Sequence, residues 1–98
     1  MQGSTRPDAS GARLRAVIRV HGLGRERARA VAEALRPDDL EAPEWLKIRE
    51  EVDDGDLVIT VEVAGGAARL GSLRNTIDEL LSVTYALLRS LEEAAKTL

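Results

Sequence analysis

"VHGLGRERARAVAEAL", residues 20–35, decides the fold, because two architectures write the same letters. In a helix-hairpin-helix, a helix runs into the Gly-Leu-Gly turn, and the backbone N–H groups and positive helix end hold a nucleic-acid phosphate. In the other, a strand runs in, and Gly22 and Gly24 merely let the chain reverse. The residues in front choose. "RLRAVIRV", residues 13–20, places Leu14, Ala16, Ile18 and Val20 on one side and Arg13, Arg15, Val17 and Arg19 on the other. That is the period of a half-buried strand. A helix would scatter the arginines around its circumference, so the turn is read as strand-to-helix.

After the turn, Ala28, Val31, Ala32 and Leu35 recur at helical spacing over Arg25 to Arg36, which predicts a helix burying one face. Pro37 is expected to end it, because proline lacks the N–H that the next bond needs. "PDDLEAP" then reads as a polar connector.

Further on, "WLKIREEVD" and "DLVITVEV" flank Asp54-Gly55, a strong two-residue hairpin signal. Pairing Asp53 with Asp56 sets Lys47 opposite Glu62, Arg49 opposite Thr60 and Glu51 opposite Val58. Leu46, Ile48 and Val52 then share the other face with Leu57, Ile59, Val61 and Val63. Glu50 breaks the pattern by landing on the apolar face opposite Ile59. A bulge at Glu50-Glu51 or a place near the rim would each account for it. After Gly65-Gly66 a long helix begins between Ala67 and Ser72, with Ser72 a plausible N-cap.

The expected fold class is therefore α+β: β-α-β-β-α, a three-stranded antiparallel sheet with a long C-terminal helix. Residues 1–12, "MQGSTRPDASGA", read as a flexible tail, and residues 13–98 as a single domain. At 98 residues, 44% hydrophobic, 32% charged and net charge −3, the chain has the balance of a globular domain. With only Trp45 and Tyr85 aromatic, the core falls to Leu, Val, Ile and Ala. The chain has no cysteine, which excludes disulfides and thiolate chemistry and fits a reducing compartment. No apolar stretch reads as a leader or a membrane span, so a cytoplasmic location is expected.

The last helix carries more apolar surface than one sheet needs. Leu70, Leu73, Ile77, Leu80, Thr84, Leu87, Leu91 and Leu98 form a narrow band. Leu81, Leu88 and Ala95 widen it on one side and Val83 and Ala94 on the other, to roughly 160° against the 100° or so of an ordinary amphipathic helix. Its length, roughly 37–45 Å, exceeds the roughly 23 Å of a seven-residue strand. Spacings of three and four are those of helix-on-helix packing, and a three-stranded sheet leaves two open edges. Both features predict self-association and a helical partner.

Catalysis needs a constellation, and none is written. His21 is the sole histidine, "PDDLE" and "EEVDDGD" lack calcium-loop spacing, and there is no phosphate-binding loop. No enzyme activity, cofactor or metal is expected. Arg13, Arg15, Arg19, Lys47 and Arg49 share the outer sheet face and form a candidate RNA contact. Platforms that read single-stranded RNA stack bases on aromatic residues, and this face has none, so the contact would be auxiliary.

Laid end to end, the chain resembles the small dimerising subunit of the KEOPS (EKC) complex, related to the LAGE/CTAG antigens. The likeness covers most of Arg13 to Leu91, through "RARAVAEAL", "LVITVEV" and "LGSLRNTIDELLSVTYALL". Leu73 and Arg74 match a Leu-Arg pair that opens the family's last helix. Asp78 and Glu79 stand where an Asn-Ser pair is common, a departure from the pattern. The resemblance implies a non-enzymatic homodimer whose two sheets join. It also implies a helix bundle with the catalytic, ATPase-like threonylcarbamoyl-transferase subunit, in a complex that modifies tRNA. On this basis Leu73, Arg74, Ile77, Leu80, Leu81, Thr84, Leu88 and Leu91 are the expected partner contacts. The rival readings are the helix-hairpin-helix module and a regulatory ligand-binding domain of the ACT type.

Overall fold

The computed structural model describes residues 13–40 and 42–96; the expected tail over residues 1–12 lies outside them. The elements are β1 (Arg13–Val20), α1 (Arg25–Leu40), β2 (Leu46–Asp53), β3 (Asp56–Ala64), a 3₁₀ turn (Gly66–Arg69) and α2 (Leu70–Lys96). The chain is thus an α+β fold in the order β-α-β-β-α. Its sheet runs β1-β3-β2, with β3 in the middle and antiparallel to both neighbours.

The central place of β3 follows from its letters. Leu57, Ile59, Val61 and Val63 alternate on one face, and all four are fully buried. Ala28, Val31, Ala32 and Leu35 of α1 and Leu73 and Leu80 of α2 join them in one core, so both helices lie on the same side of the sheet. Each large aliphatic side chain buried there contributes about 1.5–3 kcal/mol. The edge strands show the same alternation more weakly. Leu14, Ala16, Ile18 and Val20 of β1 are only half-buried.

The hairpin forms in the register its turn dictates. Asp54 and Gly55 both take positive φ, 53° and 81°, the geometry of the two-residue turn that matches strand twist. Lys47 faces Glu62, Arg49 faces Thr60 and Glu51 faces Val58. Pairing runs unbroken through Glu50↔Ile59, so there is no bulge. Glu50 is tolerated because β2 is an edge strand.

Two boundaries differ from the sequence reading. α1 continues past Pro37 to Leu40. Proline's fixed φ suits a helix, and its missing N–H removes only one bond, near the helix end. Ser72 does not cap α2 but lies inside it, and its carbonyl accepts a hydrogen bond from Thr76 Oγ1 at 2.8 Å. The cap is the preceding 3₁₀ turn. Gly65, at φ 105°, admits the chain to that turn, and the Leu70 N–H bonds the Ala67 carbonyl. Arg69 in the turn lays its guanidinium over the Trp45 ring, 3.9 Å from the centroid. That contact is a cation–π lid on the open end of the core.

Candidate functional site

The Gly22-Leu23-Gly24 turn is the first place to look for a ligand, and the N–H groups of both its glycines are already spent. The Gly22 N–H donates to Asp56 Oδ1 at 2.8 Å, and the Gly24 N–H donates to the Gly55 carbonyl at 2.9 Å. The Gly24 carbonyl accepts from the Ala28 N–H at 3.0 Å, the first bond of α1. The turn therefore docks on the hairpin instead of cradling an anion. Gly22 and Gly24 are needed for their positive φ values of 76° and 86°.

Asp56 organises this junction. Besides Gly22, its carboxylate accepts from Arg19 Nε at 2.9 Å and lies 3.1 Å from His21 Nδ1. Arg19 Nη2 reaches Asp53 Oδ2, also at 2.9 Å. The Gly22 N–H first, then Arg19 and His21, hold the Asp56 carboxyl below its usual range. Asp53 and then Asp56 raise the pKa of the Arg19 guanidinium. A depressed carboxylate stabilises the fold above its unfolded pKa and loses that contribution as pH falls through the folded value. Asp56→Asn is therefore expected to melt lower than the parent protein at pH 7. The gap should close as both are acidified below about pH 4; thermal melts from pH 7 to pH 3 check it. A gap that is constant across that range would remove the charge from the account.

The outer sheet face carries most of its charges on the two edge strands and Glu62, Thr60 and Val58 along the central β3. Arg15 and Lys47 flank Glu62 from the two sides, and Val17 and Arg49 flank Thr60. Of the five candidate RNA-contact residues, Arg19 is committed to Asp53 and Asp56. Arg13, Arg15, Lys47 and Arg49 are exposed, and none of the four is in an ion pair among the described residues. Lys47, Arg49, Thr60 and Glu62 line a shallow trough along the β2 side. No aromatic ring stands on this face: Trp45 sits at the sheet end and Tyr85 on α2.

On α2 the eight expected partner contacts divide into three groups. Leu73, Leu80 and Thr84 are buried in the chain's own core and offer no surface. Ile77, Leu88 and Leu91 are half-buried against it. Arg74 and Leu81 are exposed. Comparison with known protein families, with curated proteins and with solved structures finds no match to this chain.

The geometry instead isolates a flank. Leu81, Tyr85 and Leu88 recur at i, i+4 and i+7, one helical stripe, with Leu81 44% and Tyr85 63% exposed. Arg74 lies on the same flank two turns earlier, at i−7 from Leu81. Tyr85 was missed in the sequence because it lies outside the Leu-rich band, although its i+4 spacing from Leu81 was the available signal. Its ring has Arg89 at 5.9 Å, and most of it faces outward. Leu70, 59% exposed, adds apolar surface at the helix start. Among the described residues, no group of three or more His, Asp or Glu could hold a metal ion. No helix among them is long and apolar enough to cross a membrane.

Proposed function

We propose that this chain is a non-catalytic, self-associating assembly subunit of a KEOPS-type complex that supports threonylcarbamoyl-adenosine modification of tRNA. In this reading α2 bundles with helices of the ATPase-like transferase subunit. One observation carries it: once the core is complete, α2 still turns Leu81, Tyr85 and half of Leu88 outward in a continuous stripe. Isolated surface leucines are ordinary, but an aligned stripe with an aromatic at its centre has the composition of a docking site. Arg74 at its head would meet an acidic residue of the partner.

Contact with tRNA is auxiliary in this reading. Arg13 and Arg15, exposed and outside any ion pair among the described residues, attract phosphate without reading bases. The helix-hairpin-helix alternative loses support because both glycine N–H groups it would use bond to the hairpin. An ACT-type domain needs a polar pocket for its ligand, and the polar groups at the junction of turn and hairpin bond one another, Asp56 meeting Gly22, Arg19 and His21.

Co-purification of a tagged copy from its own source tests the proposal. Recovery of an ATPase-like transferase with the parent chain, and its loss with Leu81→Asp, is the expected result. Retention of that partner by a folded Leu81→Asp chain would remove the stripe from the interface. Recovery of DNA-repair proteins, or of no transferase, would overturn the assembly role.

A further inference from the structure

β1 is a sheet edge whose outer face carries charge of one sign. We propose that it takes in an extended segment of a different protein as a fourth strand, antiparallel to β1, with acidic residues on the outer face and apolar residues on the inner one. This goes beyond the assembly role and does not rest on it. It claims Arg13 and Arg15, which the assembly reading leaves to RNA phosphates, for carboxylates.

The backbone sets which groups are on offer. β1 ends the strand order, so one side of it has no strand beside it among the described residues. Asp53 and Asp56 close the hairpin as a hydrogen-bonded pair. At the other end of β3 the Ala64 N–H donates to the Trp45 carbonyl at 2.9 Å. Bonding alternates along an antiparallel ladder, so β3 bonds β2 through Asp56, Val58, Thr60 and Glu62. It bonds β1 through Leu57, Ile59, Val61 and Val63, whose partners are Val20, Ile18, Ala16 and Leu14. The N–H and C=O groups of Arg13, Arg15, Val17 and Arg19 therefore point to the open side.

The side chains set what the added strand must carry. Residues directly opposite across a ladder share a face, and opposite charges there stabilise it. Arg13 and Arg15 are exposed. Arg15 has Glu62 beside it on β3, yet neither arginine is in an ion pair among the described residues. Both ask for a carboxylate. Arg19 is committed to Asp53 and Asp56, and Val17 is 53% exposed, so those two positions ask for an uncharged β-branched residue. On the inner face Leu14, Ala16 and Ile18 are only half-buried, whereas their neighbours on β3 are fully buried. That bared row asks for apolar cover. Charge on an edge is an ordinary guard against pairing, but a guard of one sign admits a strand of the other.

The inner side also has a roof. α1 packs mainly over β2, and α2 touches α1 and β3. On α2, Leu81 and Val83 lie about 80° to either side of the line through Leu73, Leu80 and Thr84. Val83 is half-buried against the core and Leu81 is exposed, because α1 covers only the Val83 side. The flank with Leu81 and half-buried Leu88 therefore faces away from α1, above the β1 edge. Roof, bared row and open backbone make one groove. A second β1 does not fit it. Each antiparallel register that pairs most of the strand with itself sets arginine against arginine, Arg13 against Arg19 about Ala16 or Arg15 against Arg15 one step along. RNA would satisfy the arginines and leave the apolar row bare, whereas a peptide strand covers both, the mode known as strand addition.

Fluorescence anisotropy of a labelled peptide, Thr-Val-Thr-Val-Glu-Val-Glu, titrated with the full chain tests this. In the proposed register its residues lie opposite Arg19 through Arg13, with both glutamates against free arginines. Saturable binding is expected, weakened roughly tenfold by Arg15→Glu. The same variant should bind the peptide with lysines in place of the glutamates more tightly than the parent chain does, which an unfolded variant would not. N-methylation separates a ladder from plain charge attraction. In an antiparallel fourth strand the glutamate and threonine N–H groups face β1 and the valine N–H groups face away. Methylating the two glutamate nitrogens should abolish binding, and methylating the valine nitrogens should leave it within about threefold. Binding indifferent to glutamate methylation overturns the added strand, and loss on the valines instead overturns its antiparallel register. No binding at hundreds of micromolar overturns the site. A uridine oligomer that binds through Arg13 and Arg15 where the peptide does not makes them a phosphate contact and overturns it too. Each of these outcomes leaves the co-purification test of the assembly role standing on its own.

Discussion

Replacing Leu80 with Asp is expected to unfold the chain, while the same replacement at Leu81 leaves it folded and removes the docking stripe. The two residues are neighbours in sequence, but helical geometry turns them about 100° apart. Leu80 is 7% exposed in the core with Ile59 and Leu35, whereas Leu81 faces out. A carboxylate forced into the site of Leu80 would be buried without a partner, at a cost of about 3–5 kcal/mol beyond the lost apolar burial. A domain of this size holds about 5–15 kcal/mol in total. At Leu81 the carboxylate stays in water, and the expected change is within about 0.5 kcal/mol. Circular dichroism melts of the two variants, read side by side, decide it. A cooperative melt for Leu80→Asp near the parent midpoint would put Leu80 at the surface. Unfolding of Leu81→Asp would put Leu81 in the core and leave α2 without a docking stripe.

That contrast marks where the sequence was legible. The strand before Gly22, the Asp54-Gly55 hairpin and the register it imposes are local signals, each read from a few neighbouring letters. The junction between turn and hairpin was not readable, because Asp56 meets Arg19, His21 and Gly22 from more than thirty residues away. Arg19 accordingly read as one more cation on a basic face when it is a structural ion pair. The width of the α2 stripe was plain in the sequence, but its division was not. A helical wheel shows that Leu73, Leu80 and Leu81 are apolar without showing which of them the sheet covers. The answer depends on the rotation of α2 against α1 and β3. The Ser72 cap failed for a related reason: the 3₁₀ turn from Gly66 supplies the helix entry, so the helix needed no side-chain cap there. Glu50 was conspicuous from the start, and its unbroken pairing places it on an edge strand with Oε2 buried and unbonded among the described residues.

Thr84→Val is the replacement expected to stabilise the chain most. Thr84 is 3% exposed on α2, and its Oγ1 is buried without a hydrogen-bond partner among the described residues. Helical threonines often return such a bond to the carbonyl one turn back, and here that bond is not made. An unsatisfied buried hydroxyl costs about 1–3 kcal/mol. Valine has nearly the same shape, the same branching at Cβ and a similar helix propensity, so the exchange removes the unmet polar group without reshaping the core. A gain of about 1–2 kcal/mol is expected, which for a domain near 100 residues is a rise in Tm of about 4–8 °C per kcal/mol. Thr84→Ala separates the hydroxyl from the packing. It also removes the unmet group, but it leaves a methyl-sized gap costing about 1 kcal/mol and should come out near neutral. If Thr84→Val melts at or below the parent temperature, the hydroxyl has a partner in solution, and Thr84 belongs with the polar contacts of α2 instead of its core.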